Sequence, residues 1–114
     1  MGLSRDQILA ADDLGMMKVN VPEWGGEVFI RVMSVGERDA YENEWVQNRG
    51  KGVESFRSKF LARCLCDENG ERLFSDADIS LLEKKSAKIM CRLWDKAMAH
   101  NALSNDDVEE LAKN

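Results

Sequence analysis

Val19-Asn20-Val21-Pro22-Glu23-Trp24-Gly25-Gly26-Glu27-Val28-Phe29-Ile30-Arg31-Val32-Met33 decides the fold. Val19 and Val21 alternate with Lys18 and Asn20, and Val28, Ile30 and Val32 alternate with Phe29, Arg31 and Met33. A period of two in β-branched and aromatic residues predicts strands. Between the runs Pro22 fixes φ, and Gly25 and Gly26 tolerate positive φ, so the chain can reverse through a loop of roughly four residues. An isolated hairpin is marginal in water, so helices or another chain must cover one of its faces.

Outward from this hairpin the chain reads as helix. Leu3-Ser4-Arg5-Asp6-Gln7-Ile8 carries a capping box, with Leu3 placed to staple against Ile8. Ser34-Val35-Gly36-Glu37 is a second box, followed by Ala40, Tyr41, Trp45 and Val46 on one helical face. The polar stretch 47–52 holds two glycines and breaks the chain. Val53, Phe56, Phe60, Leu61, Cys64 and Leu65 then recur at three- and four-residue steps, which predicts a central core helix over 53–65. Asn69-Gly70 marks a turn, anchored beyond it by Leu73 and Phe74, and Ser75 to Asp78 cap a helix bearing Ile79, Leu81 and Leu82. Ser86 restarts a long helix that buries Ile89, Met90, Leu93, Trp94, Ala97 and Met98, and a final short helix is expected around Val108 and Leu111. The expectation is a single α+β domain over 1–114, mostly helical, with one N-terminal β-hairpin packed on or near a helical bundle. Residues 1–17 form a short helix and lead-in, 18–33 the hairpin and 34–114 the helical part.

Composition narrows the function. With 114 residues, 44% hydrophobic and 32% charged, the chain can bury about two thirds of its unfolded surface. Apolar runs of only a few residues predict no membrane span, and Arg5 and Asp6 stand where a secretory signal would be apolar. A cytoplasmic protein is therefore expected. The net charge of −5, with Lys and Arg scattered, lacks the basic stripe that phosphate neutralisation needs, so no nucleic-acid partner is expected.

Catalytic and metal-binding patterns fare no better. Cys64, Cys66, Cys91 and His100 could be read as a zinc set, but residues two apart on a helix point about 200° apart, and Cys64 and Cys91 lie among apolar neighbours. Buried thiols are the simpler reading. Asp67-Glu68-Asn69-Gly70 has its glycine too early for a calcium loop. His100 fits a helix C-terminus, where positive charge is favourable. No cofactor, metal or catalytic residue is expected.

The residues that suit a protein partner lie on and beside the hairpin: Met16, Met17, Trp24, Phe29 and Arg31. Methionines serve as core filler, the favoured reading, or as an adaptable contact surface. Trp24 either folds back over the hairpin, again favoured, or stands out as an anchor. The hairpin edge invites strand addition, hence self-association or capture of an extended segment.

Ser4 to Leu9, Val21-Pro22-Glu23-Trp24-Gly25-Gly26-Glu27-Val28 with Ile30-Arg31 and Ser34, Glu37 to Ala40, and Arg72-Leu73-Phe74 with Asp76 and Asp78 resemble the tail assembly chaperones of long-tailed, siphovirus-type phages and prophages. The resemblance spans nearly the whole chain. It implies a non-catalytic protein that binds the tape measure protein, keeps it soluble and helps recruit tail tube subunits. It also implies work in the host bacterial cytoplasm and absence from the mature virion. Many members exist in two lengths through a ribosomal frameshift, and Ala112-Lys113-Asn114 permits an A-rich slippery message, so the short form is expected here. The competing readings are a small virion part, such as a tail or head–tail completion protein, and a small cysteine enzyme.

Overall fold

The computed structural model describes residues 2–47 and 55–102. The hairpin forms. Strand β1 (Met16–Val21) pairs antiparallel with β2 (Gly26–Arg31), with Met17 opposite Ile30, Lys18 opposite Phe29 and Val19 opposite Val28. Pro22–Trp24 make one turn of 3-10 helix, and Gly25 at φ 78° closes it by donating its N–H to the Pro22 carbonyl at 3.0 Å. The ladder sits two residues earlier than the sequence suggests. Met16 and Met17, read as lead-in, are strand residues, whereas Val32 and Met33 lie beyond β2. Cross-strand pairing decides the boundary, and methionine has no strong strand preference that would reveal it.

A third strand was not expected. β3 (Leu65–Cys66) pairs with the other edge of β2, setting Phe29 opposite Cys66 and Ile30 opposite Leu65 in the order β1-β2-β3. Leu65 therefore leaves helix α3 (Phe56–Cys64), in which the apolar stripe seemed to place it. Two residues are too few for a period to register. The turn after β3 closes as its composition predicts. Asp67 Oδ1 accepts from the N–H groups of Asn69 at 2.8 Å and Glu71 at 3.0 Å, with Gly70 at φ 82°.

The sheet has one dry face. Val19, Val21, Ile30 and Leu65 are buried with helices α2 (Val35–Gln47), α3, α4 (Ile79–Leu82) and α5 (Ala87–His100). In α5 all six expected residues, Ile89, Met90, Leu93, Trp94, Ala97 and Met98, are buried. Tyr41, Trp45, Phe56, Phe60 and Trp94 make an aromatic centre with ring centroids 4.5 to 6.3 Å apart, edge-to-face except for the tilted Trp45–Phe56 pair. The stripe on α2 is narrower than expected: Tyr41 and Trp45 are buried while Ala40 and Val46 face solvent. Val53, the loop at 48–52 and the helix expected around Val108 lie outside the described residues.

Two polar side chains tie the elements together. Asn101, just after α5, is buried; its Oδ1 accepts from Met33 N–H at 2.7 Å, and its Nδ2 donates to the carbonyls of Ala97 at 2.9 Å and Arg31 at 3.3 Å. Arg31 donates through Nε to the Arg63 carbonyl at 2.9 Å and through both terminal nitrogens to the Glu37 carboxylate. Glu37 in turn completes the predicted capping box with Ser34, at 3.1 and 3.2 Å. Burial pushes the Glu37 carboxyl up, but hydrogen bonds from Arg31 and Ser34 outweigh it and leave it below the ordinary carboxylate range.

The opening helix α1 (Arg5–Ala10) stands apart. Its capping box is closed, Gln7 N–H to Ser4 Oγ at 3.2 Å and Ser4 N–H to Gln7 Oε1 at 2.9 Å, yet none of its residues is buried. Leu3 and Ile8, the expected staple pair, both remain exposed.

Candidate protein-binding site

The alternation of the strands sorts four of the five candidate residues onto two sides of the sheet. Met17 points to the dry face and packs against the core, as core filler would. Met16, Phe29 and Arg31 share the opposite, outer face with Cys66. There Met16 Sδ lies 3.7 Å from Cys66 Sγ, and Lys18 Nζ sits 6.0 Å from the Phe29 ring centre. Met16 and neighbouring Leu14 are exposed, so the outer face presents a small apolar strip edged by the Lys18–Glu27 ion pair at 3.5 Å. Beside it, a depression of about 270 Å³ is lined by Asp12, Leu14, Met16, Arg31, Asn69 and Gly70. Arg31 borders this surface, but its side chain is 12% exposed and engaged by Glu37 and Arg63.

Trp24 belongs to a different feature. It folds back, half-buried, and packs against the core. With Val28, Leu65, Leu73, Phe74, Leu81, Leu82 and Lys85 it lines a groove of about 390 Å³ whose walls are almost wholly apolar. Lys85 Nζ sits 5.3 Å from the Trp24 ring centre. The loop is fastened from outside as well. Arg92 of α5 grips the Glu23 carboxylate with two hydrogen bonds of 2.8 Å. These bonds hold the Glu23 carboxyl down at about 2, well below the ordinary 4.5. Leu73, expected to anchor the turn, and Leu81, expected on the capped helix, are both exposed on the groove's rim. Sequence reasoning missed the groove because its walls come from the loop, β2, β3, the 73–74 segment and the α4 region, which only the tertiary fold brings together.

The cysteines and the histidine are absorbed by structure. Cys64 and Cys66 are buried and Cys91 half-buried, all as free thiols. Burial pushes the Cys64 thiol up to about 12 and raises that of Cys66, so neither is a thiolate near neutral pH. Among the described residues no three His, Cys, Asp or Glu side chains stand together as a metal-binding group. His100 ends α5, as its position predicts, and its Nε2 lies 3.0 Å from the Gly15 carbonyl oxygen, to which it donates. No described helix is long and apolar enough to cross a membrane.

A three-stranded sheet under a helical layer, with an apolar groove and a mixed outer face, defines a small α+β protein. The family of phage tail assembly chaperones matches residues 5–114, and the chain belongs to that family. Comparison with curated protein sequences finds no match. Among solved structures the chain is similar to the tail assembly chaperone of bacteriophage HK97, at 23% identity and a TM-score of 0.59, covering 88% of this chain and 92% of that one. At that identity the likeness speaks for the fold.

Proposed function

We propose that this protein is a non-catalytic chaperone of phage tail assembly that binds the tape measure protein, keeps it soluble and helps recruit tail tube subunits. Membership of the family along residues 5–114 is the observation that carries this reading. The outer sheet face supports it. Met16, Phe29 and Leu14 form a modest apolar strip, and thioether side chains adapt to many partner surfaces. The edge of β1 adds backbone groups for strand addition, so the hairpin edge is a second place for a partner or another copy. The work falls in the host bacterial cytoplasm, before the tail is complete, and the protein is not carried into the virion.

Co-expression with the tape measure protein of the same phage tests the reading. The tape measure protein should move from the pellet to the soluble fraction and co-purify with this chain. Charge placed on the strip, in Met16→Glu with Phe29→Glu, should abolish both effects while the free chain stays folded by circular dichroism. A tape measure protein equally insoluble with and without the chain would sink the proposal, as would the chain in stoichiometric amounts in purified virions.

A further inference from the structure

The groove beside the hairpin tip is walled by Trp24, Val28, Phe74 and Leu82, and its lining is almost wholly apolar. On its rim Leu73 is 52% and Leu81 56% exposed. A concave apolar surface of this kind is the usual seat of an apolar occupant. Its border is basic. Lys85 lines it with its Nζ over the Trp24 ring, and Lys84 and Lys88 stand close by in sequence. The neighbouring acids are already engaged, Glu83 by the Ser55 hydroxyl and Glu23 by Arg92. The matching occupant is therefore apolar along one side and acidic on its flanks.

Residues 103–114 of this chain have that chemistry. Val108, Leu111 and Ala112 fall on one side of the short helix expected there, and Asp106, Asp107, Glu109 and Glu110 stand against the single Lys113. The fold fixes where this segment starts. Asn101 Nδ2 donates to the Arg31 carbonyl at 3.3 Å, at the end of β2. Val28, a wall of the groove, lies earlier on the same strand, about 10 Å away. Ala102 follows with a left-handed φ of 55°, which turns the chain off the axis of α5. From Ala102 an extended chain carries Val108 up to about 20 Å and Leu111 up to about 30 Å, so both come within reach of the groove. A segment tethered this close has an effective concentration near the millimolar range, which a separate molecule has to exceed.

We infer that residues 106–112 cover the groove of their own chain, with Val108 and Leu111 entering between Trp24, Phe74 and Leu81 and the flanking acids facing Lys84, Lys85 and Lys88. The groove is then closed to other proteins until the segment is displaced, whereas the outer sheet face stays open. The two apolar surfaces of the molecule thus differ in access: one is permanent and one is conditional.

The test is NMR spectroscopy of the full chain. Nuclear Overhauser contacts should join the methyl groups of Val108 and Leu111 to the Trp24 indole and the Leu81 methyls. In a mixture of isotope-labelled and unlabelled copies, none of these contacts should pass between copies. Val108→Asp with Leu111→Asp should abolish them and shift the Trp24 indole N–H signal, while the methyl signals of the fully buried Leu93 stay in place. Leu81→Glu, at an exposed position, should abolish them from the groove side. Lys84→Glu with Lys85→Glu should weaken them, and Asp107→Lys with Glu110→Lys in that background should restore them. Absence of the contacts in the unchanged chain would overturn the inference, leaving the groove to another protein. Contacts between copies would overturn it in favour of a second molecule. Movement of the Leu93 signals in the tail variant would overturn it by making the segment part of the core. Contacts indifferent to charge reversal would remove the complementarity on which it stands.

Discussion

Helices α1 and α5 begin with equal clarity in the sequence and end in opposite environments. α1 opens on a complete capping box but has six residues and no buried side chain. α5 follows Ser86, whose side chain makes no capping hydrogen bond, yet its 14 residues bury six side chains. Capping therefore marks where a helix starts and says nothing about what holds it. Burial requires an apolar stripe long enough to cross a partner, and α5 supplies four turns of it.

The sharpest way to break the contrast is to remove side chains from each helix in turn. Leu93→Ala, at a fully buried position in α5, should cost about 2–5 kcal/mol in denaturant unfolding. Asn101→Ala should cost about 1–3 kcal/mol, because it leaves the buried N–H of Met33 without its acceptor. Ile8→Ala in α1 should change unfolding of the dilute chain by about 0.5 kcal/mol or less, an asymmetry that would vanish if α1 were part of the core. The smallest effect concerns the loop that α5 holds. Glu23 titrates at about 2 when folded against 4.5 ordinarily, so the Arg92 tie is present above pH 4.5 and is lost as pH falls towards 2. A carboxyl NMR titration should find that midpoint, and Arg92→Ala should return it towards 4.5.

Much of this was legible beforehand, for identifiable reasons. The hairpin, the six buried residues of α5 and the boxes at Ser4 and Ser34 follow from periods and spacings within a few residues. Residues whose role depends on distant partners were not legible. Asn101 looks like any polar residue after a helix, yet it bonds to Met33, 68 positions away. Arg31 was read as a surface for partners, and its side chain proves to be tied to Glu37 and Arg63. Leu81 continued an apolar cluster and lies on a rim, because the four residues of α4 give it one face against the core. The groove has no local signal at all.

The Asn101 clamp also bears on the order of events as the chain folds. Hairpin contacts close over a few residues, at little entropic cost, and can form early. Asn101 reaches Met33 and Arg31, 68 and 70 positions away, so its hydrogen bonds are expected to form after the hairpin's. An interaction absent from the transition state slows escape from the native state without hastening arrival. Asn101→Ala should accordingly raise the unfolding rate more than it lowers the folding rate, which stopped-flow kinetics would measure.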